Sequence, residues 1–484
     1  MKQFLTALLL IITTTALAQQ FKISYPASAF KGPFTGKVIL FLNKENKQPK
    51  DAEVGSTSFP CFSIDVKNIA PGTPVLIDDK ALSYPVSLTN IERGEYYVQA
   101  VWDRNLGGRA INSSAGNLFS KTIRCNIDKT FSKTFTLNCT EIIAAPIFKE
   151  TGFIKELKAP SALLSAFHKK QMTVDAAILL PPTYYTEPGR KFPVLFEVSG
   201  YGGDYHYFSG DTVRRGRMID TIPAITVYLD GNCALGHSVY ANSDNNGPWG
   251  DALTKELIPL LESKYRTNGA RLLRGHSSGG WTVLWLQTHY PATFHGCWSS
   301  APDPVDFRDY QQVNLYAGEN IFYDKDSVPR NVGTVAGFIP WFGSKQAYGM
   351  EEVIYRGQQM HSFDAVFSGK AANGEPARIC NPRTGVMNAN VFEHWKSYDI
   401  SAYLRNNWAT LKPSLDGKIR VTIGDGDNFL LGGAVHLLDK EMKTLNADMQ
   451  FEYFPGDHFT VGTAAYFQKG MQFLAERYHA WLKK

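Results

Sequence analysis

The sequence predicts an α/β domain built on a mostly parallel sheet with helices on both faces, preceded by a smaller β-sandwich. Three observations carry that expectation. From about residue 171 onward, short β-branched runs alternate with stretches of helical periodicity. Residues 20–145 instead hold a series of strands with little helical pattern between them. The chain has 484 residues, enough for two or three domains of ordinary size.

The elements follow in order. Residue 2 is Lys, residues 4–12 are apolar, and small residues lead to Ala16-Leu17-Ala18. That is the pattern of a signal peptide over 1–18, cleaved before Gln19, and it predicts a secreted or periplasmic protein. The apolar run is too short for a stable membrane span, and no later segment is apolar enough for one. Strands are predicted at 37–42, 75–77, 96–102 and 131–137, punctuated by turns such as Pro71-Gly72. Together they suggest an immunoglobulin-like sandwich over 20–145, with 146–170 as a linker.

In the second domain, over 171–484, buried strands are predicted at 174–180, 193–199 and 225–229, and a helix at 251–265. A strand reaching Leu272-Leu273 precedes a helix at 281–290, and a further strand covers 296–299. The stretch 303–416 is too long for a simple connection and is expected to be an insertion that could serve as a lid or substrate wall. The rhythm then returns with strands at 419–423 and 450–454, a helix at 434–445 and a last helix at 464–482.

Charge excludes one class of partner. The 50 Lys and Arg residues stand against 45 Asp and Glu, a net charge of +5, and they are scattered rather than gathered into a stripe. Nucleic acid is therefore not an expected partner. The six cysteines lack any C-x-x-C spacing, which gives no support to a metal site. Export would permit disulfides; Cys125 and Cys139 flank an expected turn and could pair, with buried free thiols as the alternative.

Chemistry concentrates in three places. Gly275-His276-Ser277-Ser278-Gly279 lies between a predicted strand and a predicted helix. A nucleophilic serine needs that setting, because a tight turn lifts its hydroxyl above the sheet and leaves room only for glycine on either side. The hydroxyl needs a base, and the base needs a group to orient it. Asp425 and Asp427 follow the strand at 419–423, and His458 follows the strand ending at Phe454. The order Ser277, Asp427, His458 is the nucleophile, acid and histidine chain order of triads on such a sheet, with Asp425 the other candidate for the acid. A calcium-loop reading of 425–428 fails, because Phe429 stands where a ligand belongs. The third need is a hole for an oxyanion. Its donors are expected to be the N–H of Ser278 and an N–H from Gly200-Tyr201-Gly202-Gly203, Tyr201 before Gly202. His276, Trp249 and Trp341 are candidate substrate-binding residues.

At these residues the chain resembles the Putative esterase family of α/β hydrolases, which includes enterochelin esterases, S-formylglutathione hydrolases and feruloyl esterases. The resemblance rests on Ile178-Leu-Leu-Pro181, on the run from Phe192 to Gly203, on Ser238-Val-Tyr-Ala-Asn-Ser243 and Gly247-Pro248-Trp249, and on Glu256-Leu-Ile-Pro-Leu-Leu261. It continues through Arg274 to Gly280 and Tyr290-Pro-Ala-Thr-Phe294, and returns over 418–484. Two positions depart from the family pattern. Ser199-Gly200 stands where His-Gly is frequent, and Ser278 where Met or Leu is usual; neither removes a backbone donor. The resemblance implies an α/β-hydrolase fold, a serine esterase acting through an acyl-enzyme, and no metal or organic cofactor. Export, abundant aromatics and an appended β domain lead to an expected small-molecule or glycan ester as substrate. A siderophore or peptide hydrolase, or a binding protein that has lost turnover, are the alternatives.

Overall fold

The computed structural model describes residues 19–45, 47–128 and 133–483. The expected signal peptide at 1–18 and the first two residues of the expected strand at 131–137 lie outside the described residues. The chain divides into two compact units. One comprises the described residues up to 53 together with 59–104 and 117–143; the other comprises 54–58, 105–116 and 144–484.

The first unit contains two sheets. Gln20–Ser24 lies between Val75–Ile77 and Thr134–Asn138 in one of them. The other runs in the order Glu141–Ile142, Leu118–Phe119, Gly94–Asp103, Phe34–Asn43, Cys61–Ile69, Leu82–Tyr84, and Ile123–Ile127 also pairs with Gly94–Asp103. Alternation puts every second side chain inward. Phe21 and Ile23 from one sheet and Val38, Leu40, Val98 and Trp102 from the other meet in one core. Cys125 and Cys139 do not pair. Cys125 lies in Ile123–Ile127 of one sheet and Cys139 directly follows Thr134–Asn138 of the other, and all six cysteines are free and buried.

The second unit is built on an eight-stranded sheet. Its strands are β1 (Ile154–Pro160), β2 (Thr173–Leu179), β3 (Phe192–Val198), β4 (Ile225–Leu229), β5 (Thr267–His276), β6 (Gly296–Ser300), β7 (Ile419–Gly424) and β8 (Met449–Phe454), in the spatial order 1-2-4-3-5-6-7-8. β1 and β2 pair antiparallel at one edge, as do β2 and β4; every pairing from β4 to β8 is parallel. The linker expected at 146–170 is instead β1 followed by helix α1 (Ala162–His168). Lys155, Glu156 and Lys158, interspersed along β1, hid its apolar residues, of which Leu157 and Ala159 join one core and Ile154 packs on the opposite face of the sheet.

Helices follow the parallel strands: α2 (Ser278–His289) after β5, α3 (Ile400–Leu415) before β7, α4 (Gly432–Thr444) after β7 and α5 (Ala464–Leu482) after β8. Along β3, Val194, Phe196 and Val198 share a core with Trp281, Leu284 and Leu286 of α2, whereas Leu195 joins Phe473 and Leu474 of α5. Neighbours along a strand point to opposite faces, so α2 and α5 cover opposite sides of the sheet. Helix α2 is apolar all round and almost wholly buried, as such a helix must be. Each of its large side chains contributes about 1.5–3 kcal/mol by leaving water.

The 303–416 stretch is not a detachable cover. Phe307, Tyr310, Phe363, Trp395, Leu404 and Trp408 all belong to the same core as the sheet. Its hairpin, Asn331–Val335 paired with Ile339–Gly343, carries exposed apolar side chains at the tip, including Phe338 and Ile339. No helix among the described residues is long and apolar enough to cross a membrane.

Candidate active site

β5 ends at His276 and α2 begins at Ser278, so Ser277 alone makes the turn between them. It does so at φ 60° and ψ −128°, a region that side chains rarely occupy and that stores about 1–3 kcal/mol of strain. Close approach dictates its flanking glycines. A Cβ on Gly275 would lie 2.1 Å from the carbonyl oxygen of Gly279, and one on Gly279 would lie 2.2 Å from that of Val198. The turn is held by hydrogen bonds from Ser277 N to Ser300 O at 3.0 Å and from Asp303 N to Ser277 O at 3.3 Å.

Two strands away, the end of β7 leads into Asp427, and the end of the neighbouring β8 leads into His458. His458 Nδ1 lies 2.7 Å from Asp427 Oδ2, and both side chains are buried. An ionised carboxylate can only accept, so Nδ1 carries the proton and Nε2 is left as an acceptor. The other carboxylate oxygen, Oδ1, accepts from Phe429 N at 2.9 Å. Asp425 is exposed, with its backbone N–H on Phe454 O; geometry thus pairs Asp427 rather than Asp425 with the histidine.

Several neighbours brace His458. Asn428 Oδ1 accepts its backbone N–H at 3.0 Å. Phe429 meets its ring edge-on at 4.8 Å. The His276 ring lies 4.5 Å away. His276 Nδ1 is bonded to Ser300 Oγ at 2.7 Å, the Tyr466 hydroxyl also reaches Ser300, and burial drives the imidazole pKa down to about 3. His276 therefore stays neutral, packs beside the His458 ring and also lines the cavity beside the glycine loop.

The glycine loop is in place beside the serine. A Cβ on Gly200 would lie 3.2 Å from Ser277 Cβ, a tight approach that glycine relieves. Gly200 O accepts from Gly203 N at 3.1 Å, and Gly202 has φ +86°. The loop is anchored by Tyr207 Oη on Gly202 O at 3.0 Å and by Asn232 Nδ2 on Gly203 O at 2.8 Å. Ser278 N–H belongs to the first turn of α2, where helical amides have no partner within the helix. A cavity of about 410 Å³ flanks the loop, lined among others by Tyr201, Tyr207, Tyr228, Arg274 and His276.

The other two candidates separate. Trp341 stands on the hairpin, 41% exposed, its ring 6.1 Å from Phe429 and so one ring removed from His458. The same hairpin holds the loop that carries Asp427: Thr334 N and Oγ1 both donate to Asn428 O, and Asn428 Nδ2 donates to Thr334 O. Trp249 is 4% exposed, packs against Tyr240 and donates its Nε1 to Asn246 O at 2.9 Å. It is a core residue with its polar atom satisfied, which corrects its expected place at the substrate.

Sequence reasoning missed two residues. Asp303 follows β6, is 5% exposed, shares a hydrogen bond with the Ser278 side chain and leaves Oδ2 without a partner; burial pushes its pKa up to about 6. The rule that found Asp427 and His458, a polar residue just past a parallel strand, would also have found it. Arg109 lies in a segment that sequence alone assigns to the strand-rich region, yet it folds with the second unit and donates Nη1 to Tyr201 Oη at 2.8 Å. Nothing local in the sequence signals that contact. No group of three or more His, Cys, Asp or Glu among the described residues is arranged to hold a metal ion.

Residues 166–459, well over half of the chain, match the sequence profile of the family described as "Putative esterase". No curated protein matches the sequence significantly. Among solved structures the chain is similar to a ferulic acid esterase, at 13% identity and TM-score 0.40 over 68% of this chain and 100% of that one. It is similar to an S-formylglutathione hydrolase from Agrobacterium tumefaciens, at 14% identity and TM-score 0.41 over 68% and 98%. A third is the fluorophosphonate-binding serine hydrolase FphF of Staphylococcus aureus, at 14% identity and TM-score 0.38 over 68% and 99%.

Proposed function

The chain belongs to the Putative esterase family, and from that premise we propose that it hydrolyses a carboxylic ester with Ser277, His458 and Asp427 as a catalytic triad. The observation that carries this reading is the bond from His458 Nδ1 to Asp427 Oδ2, beside a serine held at a positive φ. The Ser277 hydroxyl is half-buried and makes no hydrogen bond among the described residues, so it is free to turn toward His458 Nε2. Such contacts commonly tighten only when substrate is bound.

The chemistry follows from the proton positions. Ser277 Oγ bonds to the ester carbonyl carbon while its proton passes to His458 Nε2. Asp427 stabilises the imidazolium and keeps the ring in one tautomer. The N–H groups of Ser278 and Tyr201, or of Gly202, receive the negative oxygen. The tetrahedral adduct collapses, the bond to the alcohol oxygen breaks, and His458 returns the proton to the departing alcohol. Water then attacks the acyl-serine with His458 again as base, releasing the acid. The test is labelling with a fluorophosphonate: wild type gains the probe mass on Ser277, and Ser277→Ala does not. Unlabelled, correctly folded wild type would overturn the reading.

Two finer parts belong to this proposal. Residues 1–18 direct export to a secreted or periplasmic location, so that protein recovered from its host begins at Gln19; an intact mass that retains residues 1–18 would refute this. The substrate is an acylated carbohydrate, a reading supported by that export and by the aromatic wall at Phe429 and Trp341. If neither acetylated nor feruloylated glycans release acid, the substrate class is wrong.

A further inference from the structure

Arg109 is held in an unusual way for a charged residue beside a candidate catalytic site. Its Nη1 donates both to Tyr201 Oη at 2.8 Å and to Gly357 O at 3.0 Å, and its guanidinium lies 4.8 Å from the centre of the Tyr201 ring. Tyr201 Oη in turn donates to Gly357 O. The main chain that carries Arg109 is fixed just as firmly. Arg356, 1% exposed, donates Nη1 to Gly108 O at 2.6 Å, to Arg109 O at 3.1 Å and to Ala234 O at 2.9 Å. Gly357 has φ +80°, and a Cβ there would lie 2.1 Å from Arg109 O. Two segments distant in sequence, 105–116 and 356–357, are thus locked together at the glycine loop that touches Ser277.

The charge so placed has no counter-charge. Among the described residues no carboxylate lies within ion-pair distance of Arg109, and every protein acceptor of its guanidinium is neutral. The side chain is half-buried, and Nε and Nη2 are not among the buried atoms that lack a partner, so these donors stay accessible. The Tyr201 ring holds the guanidinium by a favourable cation–π contact, and the part of its donor fork left to solvent is the geometry that receives a carboxylate.

Resting on the ester-hydrolase reading of the site, we infer that Arg109 binds a carboxylate of the substrate that lies outside the ester bond, so that the substrates are acidic esters. Tyr201 links the two functions. Its side chain orients the guanidinium, and its main chain belongs to the loop that faces the oxyanion.

Binding to Ser277→Ala tests this without turnover. The ligands are benzyl hydrogen succinate, with its carboxylate on the acyl side, 4-(acetoxymethyl)benzoate, with it on the alcohol side, and neutral benzyl acetate. At least one anion is expected to bind about tenfold more tightly than benzyl acetate, the scale of one charge-assisted contact. The preference should vanish in Ser277→Ala/Arg109→Gln and persist in Ser277→Ala/Arg109→Lys. Equal binding of all three ligands, a preference that survives Arg109→Gln, or Lys behaving like Gln would each overturn the inference. Failure of the esterase reading shows separately, as absence of fluorophosphonate labelling in the wild type.

Discussion

Ser277, Asp427 and His458 stand at the ends of parallel strands, each placed by its own strand and the turn that follows. Arg109, Thr334, Trp341 and Gly357 are placed differently. They belong to segments outside the main sheet, and they touch the residues beside the three: Tyr201 for Arg109 and Gly357, Asn428 for Thr334, and Phe429 for Trp341. The first set is placed by local strand-end geometry. The second set is placed by contacts distant in sequence. The division suggests that strand ends supply the reaction and distant segments choose what is brought to it.

The largest effect should come from breaking the strand-end set. Asp427→Asn leaves the shape intact but offers His458 an amide that can force the wrong tautomer. The kcat is expected to fall about 10⁴-fold with little change in KM. Steady-state kinetics on any accepted ester checks this, and a fall below tenfold would remove Asp427 from the role.

The same comparison shows what could be read from sequence. The turn at Ser277 was legible because glycine, serine, strand and helix signals coincide within a few residues. Asp427 and Asp425 could not be ranked by geometry from sequence, since both follow β7 and only the fold shows which one turns inward. Trp249 misled because an aromatic after Gly-Pro looks the same whether it lines a cleft or fills a core. The strand at Ile154–Pro160 was hidden by the charged residues interspersed along it. Arg109 was illegible altogether: its partners Tyr201 and Gly357 lie about 90 and 250 residues further along, and no local periodicity reports such a contact.

A smaller effect probes Asp303, a strand-end residue outside the proposed triad. Buried, it keeps its proton up to about pH 6, whereas in the unfolded chain it loses it near pH 3.8. Between those values the unfolded state releases protons first, so the wild type loses stability as pH rises, by up to about 3 kcal/mol. Asp303→Asn should lack this component. Thermal midpoints of wild type and variant measured from pH 4 to 7 would converge at the acid end and separate toward neutrality; parallel curves would show that the carboxyl is not buried as described.

The smallest effect should come from the wall. Trp341→Ala removes a 41%-exposed side chain that contributes little to the core. KM for a bulky ester is expected to rise several-fold, with kcat and the melting temperature nearly unchanged, in keeping with the loss of about 1 kcal/mol of apolar contact. A large fall in kcat would instead place Trp341 with the strand-end set and blur the distinction.

The buried cysteines give each unit its own clock. Cys61, Cys125 and Cys139 lie in the first unit and Cys233, Cys297 and Cys380 in the second, all of them free. Burial raises the thiol pKa of all six, to about 12 for Cys125 and Cys233, which suppresses the thiolate that alkylating reagents attack. A thiol here reacts only while its surroundings are open. Mass added in steps over time therefore records opening events, and the position of each adduct tells which half of the protein has breathed, with no engineered label needed.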